Sequence, residues 1–138
     1  MQCPRCFWLD ARLKITRPSS PPFNINKAID ELFKKEFDVY RAKGEPHPLM
    51  LDNQIKAVPY QHDDLDTWRY NFTGITTLHE PTNLHIFGAV DDIWVNDDGE
   101  LIVVDYKATA KDKPVTALGP EGTWHDMYRR QMEIYQWL

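Results

Sequence analysis

From Asn24 onward, apolar residues recur at three- and four-residue steps: Ile25, Ala28, Ile29, Leu32, Phe33, Phe37 and Tyr40. Asp30, Glu31, Lys34, Lys35, Glu36, Asp38 and Arg41 fill most of the gaps. This spacing predicts an amphipathic helix. It should end near Lys43, with Gly44 as the residue just past the last turn and Pro46 beyond it. Upstream, Pro18, Ser19, Ser20, Pro21 and Pro22 form a breaker that must be extended or turned. Residues 45–65 carry Pro46, Pro48 and Pro59 with little periodicity, which predicts loop with one short strand around Ile55–Pro59. Leu65, Trp68, Phe72 and Ile75 are spaced for a second helix over Leu65–Thr77, and a last helix is predicted from about Trp124.

Between Asn83 and Lys107 the pattern changes to strands. Leu84–Phe87 and Ala89–Val95 read as one strand region and Leu101–Lys107 as another, separated by Asn96-Asp97-Asp98-Gly99-Glu100. Asp at the second loop residue and Gly at the third fit a type I turn followed by a left-handed glycine. That turn sets the register. With Asn96 opposite Glu100, Val95 faces Leu101, Ile93 faces Val103 and Asp91 faces Asp105, and Lys107 shares their side of the hairpin. A two-residue loop would put Asp91 and Asp105 on opposite faces. Trp94 and Tyr106 fall on the other side and are expected to pack against a helix. The continuous run Leu101–Val104 is typical of a strand buried on both faces. The expected architecture is therefore α/β: a helix leads into a three- or four-stranded mixed sheet, with a central hairpin over residues 86–107 and helices flanking it.

Two directly opposed carboxylates repel one another and destabilise a strand pair unless something compensates. A divalent cation does so naturally, because Mg²⁺ or Mn²⁺ takes hard oxygen ligands from one or two carboxylates and keeps water or phosphate oxygens for the rest. Lys107 is placed to hold a metal-bound water or to balance phosphate charge. The plainer alternative is a strand end reaching solvent, with Asp and Lys exposed and paired. Gln131 and Tyr135, at i and i+4, point from one helix face toward the same neighbour. Equally, Tyr128, Met132, Tyr135 and Leu138 could be a core stripe with Gln131 at its edge.

Composition narrows the class. The chain has 138 residues, 42% hydrophobic and 12% aromatic, enough for one core but not two. It is read as one domain, 1–138, with an N-terminal arm over residues 1–22 and a core over 23–138. No stretch approaches the roughly 18–20 consecutive apolar residues of a membrane span, and the N-terminus lacks an apolar signal region. The expectation is a cytoplasmic protein without a membrane partner. With 16 Lys+Arg against 21 Asp+Glu, the net charge of −5 argues against a wholesale nucleic-acid coat, but not against a nuclease whose metal site needs carboxylates. Arg5, Arg12, Lys14 and Arg17 against Asp10 alone make the arm locally basic, suited to phosphate or simply to solvent. Cys3 and Cys6 are too few for a secreted disulfide framework. The five histidines show no HxH or HExxH spacing.

Gly88-Ala-Val-Asp91, the short hairpin, Leu101-Ile-Val-Val-Asp105-Tyr-Lys107 and Gln131-Met-Glu-Ile-Tyr135 together resemble motifs II, III and IV of the PD-(D/E)XK nuclease superfamily. The closer likeness is to its RecB-type branch, which includes CRISPR-associated RecB-like exonucleases. Cys3-Pro-Arg-Cys6-Phe-Trp is similar to the Cys-Pro-Arg opening of many of that branch, so the likeness runs from Cys3 to Tyr135. It implies a restriction-endonuclease-like core and Mg²⁺- or Mn²⁺-assisted hydrolysis of DNA phosphodiesters in repair, recombination, or phage or CRISPR DNA processing. Asp91, Asp105 and the Tyr106 carbonyl would hold the metal, Lys107 would position the attacking water, and Gln131 and Tyr135 would face the site. Arg5, Arg129 and Arg130 are candidate DNA contacts. Many RecB-type members carry a metal-binding His on the first helix; here Asp30 stands at that position. A zinc or iron–sulfur site on Cys3 and Cys6 would need two further ligands, which relatives supply from cysteines after motif IV. This sequence stops at Leu138, inside the last predicted helix and without a cap. The expectation is a truncated or minimal variant whose cysteines are half of such a site or simply reduced thiols. The alternative to a nuclease is a noncatalytic DNA-binding or assembly module that keeps the fold. Other proteins of a repair, recombination or phage complex are candidate partners in both cases.

Overall fold

A computed structural model of the chain describes residues 3–16, 18, 24–108, 115, 117–123 and 125–138; Arg17, Ser19, Ser20, Pro21 and Pro22 of the arm and Trp124 lie outside them. The arm contains a helix that the periodicity did not suggest, α1 (Pro4–Leu13). Cys3 caps it, its Sγ accepting the Cys6 N–H at 3.3 Å, and Pro4 occupies the first turn, where a missing N–H costs nothing.

Helix α2 (Asn24–Lys43) forms where predicted, but only part of the predicted stripe is covered: Phe37 is buried and Ile29, Phe33 and Tyr40 partly so, whereas Ile25, Ala28 and Leu32 are exposed. Its end is a Schellman closure: Gly44 sits at φ +66°, Gly44 N–H donates to Arg41 O and Glu45 N–H to Tyr40 O. After α3 (Pro48–Asp52) comes the short strand β1 (Ala57–Pro59), inside the predicted range. The predicted second helix is only α4 (Leu65–Arg69). Tyr70 is already extended, and the remainder of Leu65–Thr77 leads into β2 (Ile75–His79), where β-branched residues alternate between partly buried and exposed. A 3₁₀ turn at Glu80–Thr82 carries the chain into β3 (Leu84–Gly88), which pairs with β2 from Ile75↔Gly88 to His79↔Leu84.

The single strand region expected from Leu84 to Val95 is therefore broken. Ala89, Val90 and Asp91 separate β3 from β4 (Asp92–Asn96), which belongs to another sheet with β5 (Leu101–Val104). The expected register holds: Ile93↔Val103 and Val95↔Leu101 are partners. The turn is also as expected, with Gly99 at φ +80° and Asn96 Oδ1 accepting the Asp98 and Glu100 N–H groups. The ladder covers residues 92–104, shorter than the 86–107 expected.

The sheet order is β1-β4-β5, so β4 is central and β5 lies outside it. The apolar run Leu101–Val104 thus does not mark a doubly buried strand: Leu101 is 53% and Ile102 36% exposed. Among the described residues every strand pairing is antiparallel, where a mixed sheet was expected. The architecture is α/β in the broad sense, small antiparallel sheets flanked by helices. The core lies between α2 and the β1-β4-β5 sheet, where Phe37, Met50, Ala57 and Trp94 are buried and Phe33, Ile55, Val104 and Tyr106 pack around them. Phe37 stacks on Trp94 at 5.3 Å and Phe33 on Tyr106 at 5.3 Å, which places both hairpin aromatics against a helix as expected. Helix α5 (Asp126–Trp137) packs on β5. Among the described residues no helix is long and apolar enough to cross a membrane.

Candidate active-site cleft

The site begins just past the last rung of the β4–β5 ladder, Asp92↔Val104. Released from pairing, Asp91 and Asp105 line a cleft of about 410 Å³ together with Asp30, Tyr106, Lys107, Gln131 and Tyr135. The segment entering β4 supplies Asp91, the segment leaving β5 supplies Asp105 to Lys107, α2 supplies Asp30, and α5 forms the remaining wall. Gly88 is what lets α5 come close: a Cβ there would stand 2.8 Å from the Tyr135 ring.

Each carboxylate has partners. Asp91 Oδ2 accepts the Tyr106 N–H at 2.8 Å, which pins the two strand ends together, and Asp91 Oδ1 receives Lys34 Nζ at 3.0 Å. Lys34 also reaches Asp30 Oδ2 at 2.9 Å, so one ammonium bridges two carboxylates. Burial alone would lower the Lys34 pKa, but Asp30 and Asp91 outweigh it and hold the ammonium above the usual lysine range. Asp105 pairs with Lys107. Burial pushes the Asp105 carboxyl above the usual carboxylate range; Lys107 opposes this and the neighbouring Asp91 adds to it. On the far wall Gln131 Nε2 donates to Tyr135 Oη at 2.9 Å, joining the two predicted residues.

Asp92, not singled out from the sequence, turns the other way. It is fully buried; Oδ1 accepts Arg41 Nη2 at 2.5 Å, Arg69 Nη2 at 3.0 Å and the Ile93 N–H at 2.8 Å, and Oδ2 accepts the Tyr106 hydroxyl at 2.8 Å. Burial and the Asp92 carboxylate raise the Tyr106 hydroxyl far above its ordinary pKa, so it remains a donor. Arg69 also donates to the Asp91 carbonyl at 3.0 Å, which ties this network to the cleft. One signal for it was available: Arg41 stands four residues beyond Phe37, on the apolar stripe of α2, where a cation needs a buried anion.

Other expectations fall outside the cleft. Cys3 caps α1, Arg5 and Cys6 lie on it, and none of the three is among the residues lining the cleft. Arg129 is held by Asp126 at 2.8 Å and by the Gly119 carbonyl, and Arg130 lies beside Glu121, Asp126 and Glu133, a mixed rather than a basic surface. Among the described residues no group of three or more His, Cys, Asp and Glu stands ready to hold a metal. A two-carboxylate Mg²⁺ site does not require one, since water and substrate complete the shell. The donor set suits such an ion: adjacent carboxylates, one kept above its ordinary pKa, and a buried Asp30 Oδ1 that accepts no hydrogen bond. No known protein family, curated protein or solved structure matches the chain.

Proposed function

We propose that the chain is a Mg²⁺- or Mn²⁺-dependent DNA nuclease built on a RecB-like, restriction-endonuclease-like core. The observation that carries this reading is the convergence of Asp91, Asp105, Lys107, Gln131 and Tyr135 on one cleft from separate elements. Asp91, Asp105 and the Tyr106 carbonyl would hold the cation, which when bound supplies Lewis acidity and activates water. Lys107, paired with Asp105, directs a donor into the cleft, where it orients the attacking water and offsets charge gathering on the phosphate. The bonded Gln131–Tyr135 pair offers a fixed polar wall against which the substrate backbone is positioned. The test is incubation of the chain with single- and double-stranded DNA in Mn²⁺, beside Asp105→Ala and Lys107→Ala. Cleavage by the parent alone is expected; equal cleavage by all three overturns the assignment.

One observation favours a second reading, a noncatalytic DNA-binding or assembly module. Lys34 and Lys107 already balance the carboxylates from within the chain. That reading expects salt-dependent DNA binding without cleavage, and tolerance of Asp91→Asn.

A further inference from the structure

Lys34 differs from an ordinary helix-surface lysine. Its bond to Asp30 is a common i,i+4 pair, but the second, to Asp91, crosses to the carboxylate at the start of β4. The side chains of Lys34 and Asp91 are each 21% exposed, so both are largely withdrawn from water. The bridge also leaves an acceptor over: Asp30 Oδ1 is buried without a hydrogen-bond partner. The ammonium leaves this oxygen unused, and an ion with more coordination positions could take it.

We infer that Lys34 is a tethered cation that holds Asp30 and Asp91 together in the metal-free chain and competes with a divalent ion for them, and so sets the metal affinity of the cleft. This rests on the nuclease reading for its ligand, though not for its test. Lys34 occupies Asp91 Oδ1 and the Tyr106 N–H occupies Oδ2, so a divalent ion bound by Asp91 would have to displace the ammonium or bear its repulsion. Loss of the Lys34 charge therefore strengthens metal binding and weakens the metal-free fold. A lysine whose task is to grip DNA phosphate behaves differently, since its loss weakens DNA binding and leaves metal affinity unchanged.

The experiment is titration of the full chain with Mn²⁺, followed by the electron paramagnetic resonance of the free ion, together with melting curves in chelator. The chains compared are the parent, Lys34→Met, Lys34→Gln and Lys34→Arg. Lys34→Met should bind Mn²⁺ about ten- to a hundredfold more tightly, the scale of removing one close charge from a partly solvated site, and should melt at lower temperature without metal. Lys34→Arg should stay near the parent in both. Lys34→Gln, neutral but able to donate, replaces Lys34→Met if the latter does not fold. Unchanged or weaker Mn²⁺ binding by the neutral variants overturns the inference. If the parent cleaves DNA while this occurs, the inference falls alone. If the neutral variant binds Mn²⁺ tightly but no chain cleaves DNA, the inference stands and the nuclease reading falls. If no chain binds Mn²⁺, both fall.

Discussion

Asp91 and Asp92 are neighbours in the chain and serve opposite sides of the hairpin: Asp91 lines the cleft, while Asp92 is buried against Arg41 and Arg69. Asp91 lies at the bend before β4 and Asp92 is the first residue of that strand, so the two side chains leave the chain where it changes direction. The two arginines also share Asp38, at 3.1 Å from Arg41 Nε and 2.9 Å from Arg69 Nη1. Removing the Asp92 charge leaves the two guanidinium groups, besides their bonds to the Tyr60 and Asp91 carbonyls, with half-exposed Asp38 as their remaining anionic partner among the described residues. Asp92→Asn should therefore destabilise the fold by about 3–5 kcal/mol, the usual cost of breaking a buried pair from one side. Asp91→Asn keeps an oxygen for the Tyr106 N–H and leaves Lys34 paired with Asp30, so a clearly smaller loss is expected. Urea unfolding of both variants checks the contrast, and the same Asp91→Asn chain should lose Mn²⁺ binding. Similar stability losses in the two would contradict the division.

Asp105 should make metal binding depend on pH. Its folded pKa is raised, first by burial. The folded chain thus holds this proton more tightly than the unfolded chain. The resulting stability is full below the ordinary carboxylate value and is lost as pH rises from that value through the raised one. Mn²⁺ needs the ionised form, so its affinity should rise across the same window. Titrations from acid to neutral pH should show this rise in the parent and a flatter profile in Asp105→Asn. A parent profile as flat as that of the variant would remove Asp105 from the metal site.

The Gln131–Tyr135 bond gives a third expectation. Tyr135→Phe removes the acceptor of the Gln131 amide but leaves the ring against Gly88. Stability should change by about 0.5–1.5 kcal/mol, the net value of one hydrogen bond. If the pair positions DNA, cleavage should fall at saturating Mn²⁺ while Mn²⁺ affinity remains that of the parent. A loss confined to Mn²⁺ affinity would move Tyr135 from the substrate wall to the metal.

The grouping of the cleft residues was more legible in the sequence than the limits of the strands that carry them. A local turn, Asn96 to Glu100, decided which residues share a face, and turn chemistry is written in a few adjacent residues. From that register Asp91, Asp105 and Lys107 followed. The limits of the strands depend on distant partners. Leu65–Thr77 has helical spacing, yet Ile75–His79 finds a strand partner in Leu84–Gly88, and that pairing overrides a weak local preference. Likewise, Leu101–Val104 looked buried because it is apolar, but it has β4 as its partner on one side only among the described residues. In the sequence Lys34 only fills a gap between the apolar positions of α2. Its role emerges only once Asp91 is brought opposite it, a contact between residues 57 apart that no helical period encodes.

Gly74 and Gly99 should separate two costs of placing a side chain where the backbone is left-handed. Both have positive φ, +58° and +80°. At Gly99 a Cβ would meet nothing within 4 Å, so Gly99→Ala should cost only the conformational penalty, about 1–2 kcal/mol. At Gly74 the same Cβ would stand 2.3 Å from the Gly88 carbonyl oxygen and 2.7 Å from its carbon, both backbone atoms. Gly74→Ala must therefore also push β2 away from β3 at the Ile75↔Gly88 rung. Because Gly88 also packs against Tyr135, that displacement reaches the cleft wall. Gly74→Ala should be clearly the more destabilising of the two in urea and should lower any DNA cleavage, whereas Gly99→Ala lowers stability alone. Equal losses of stability would show that the β2–β3 approach at Gly74 has room for a methyl group.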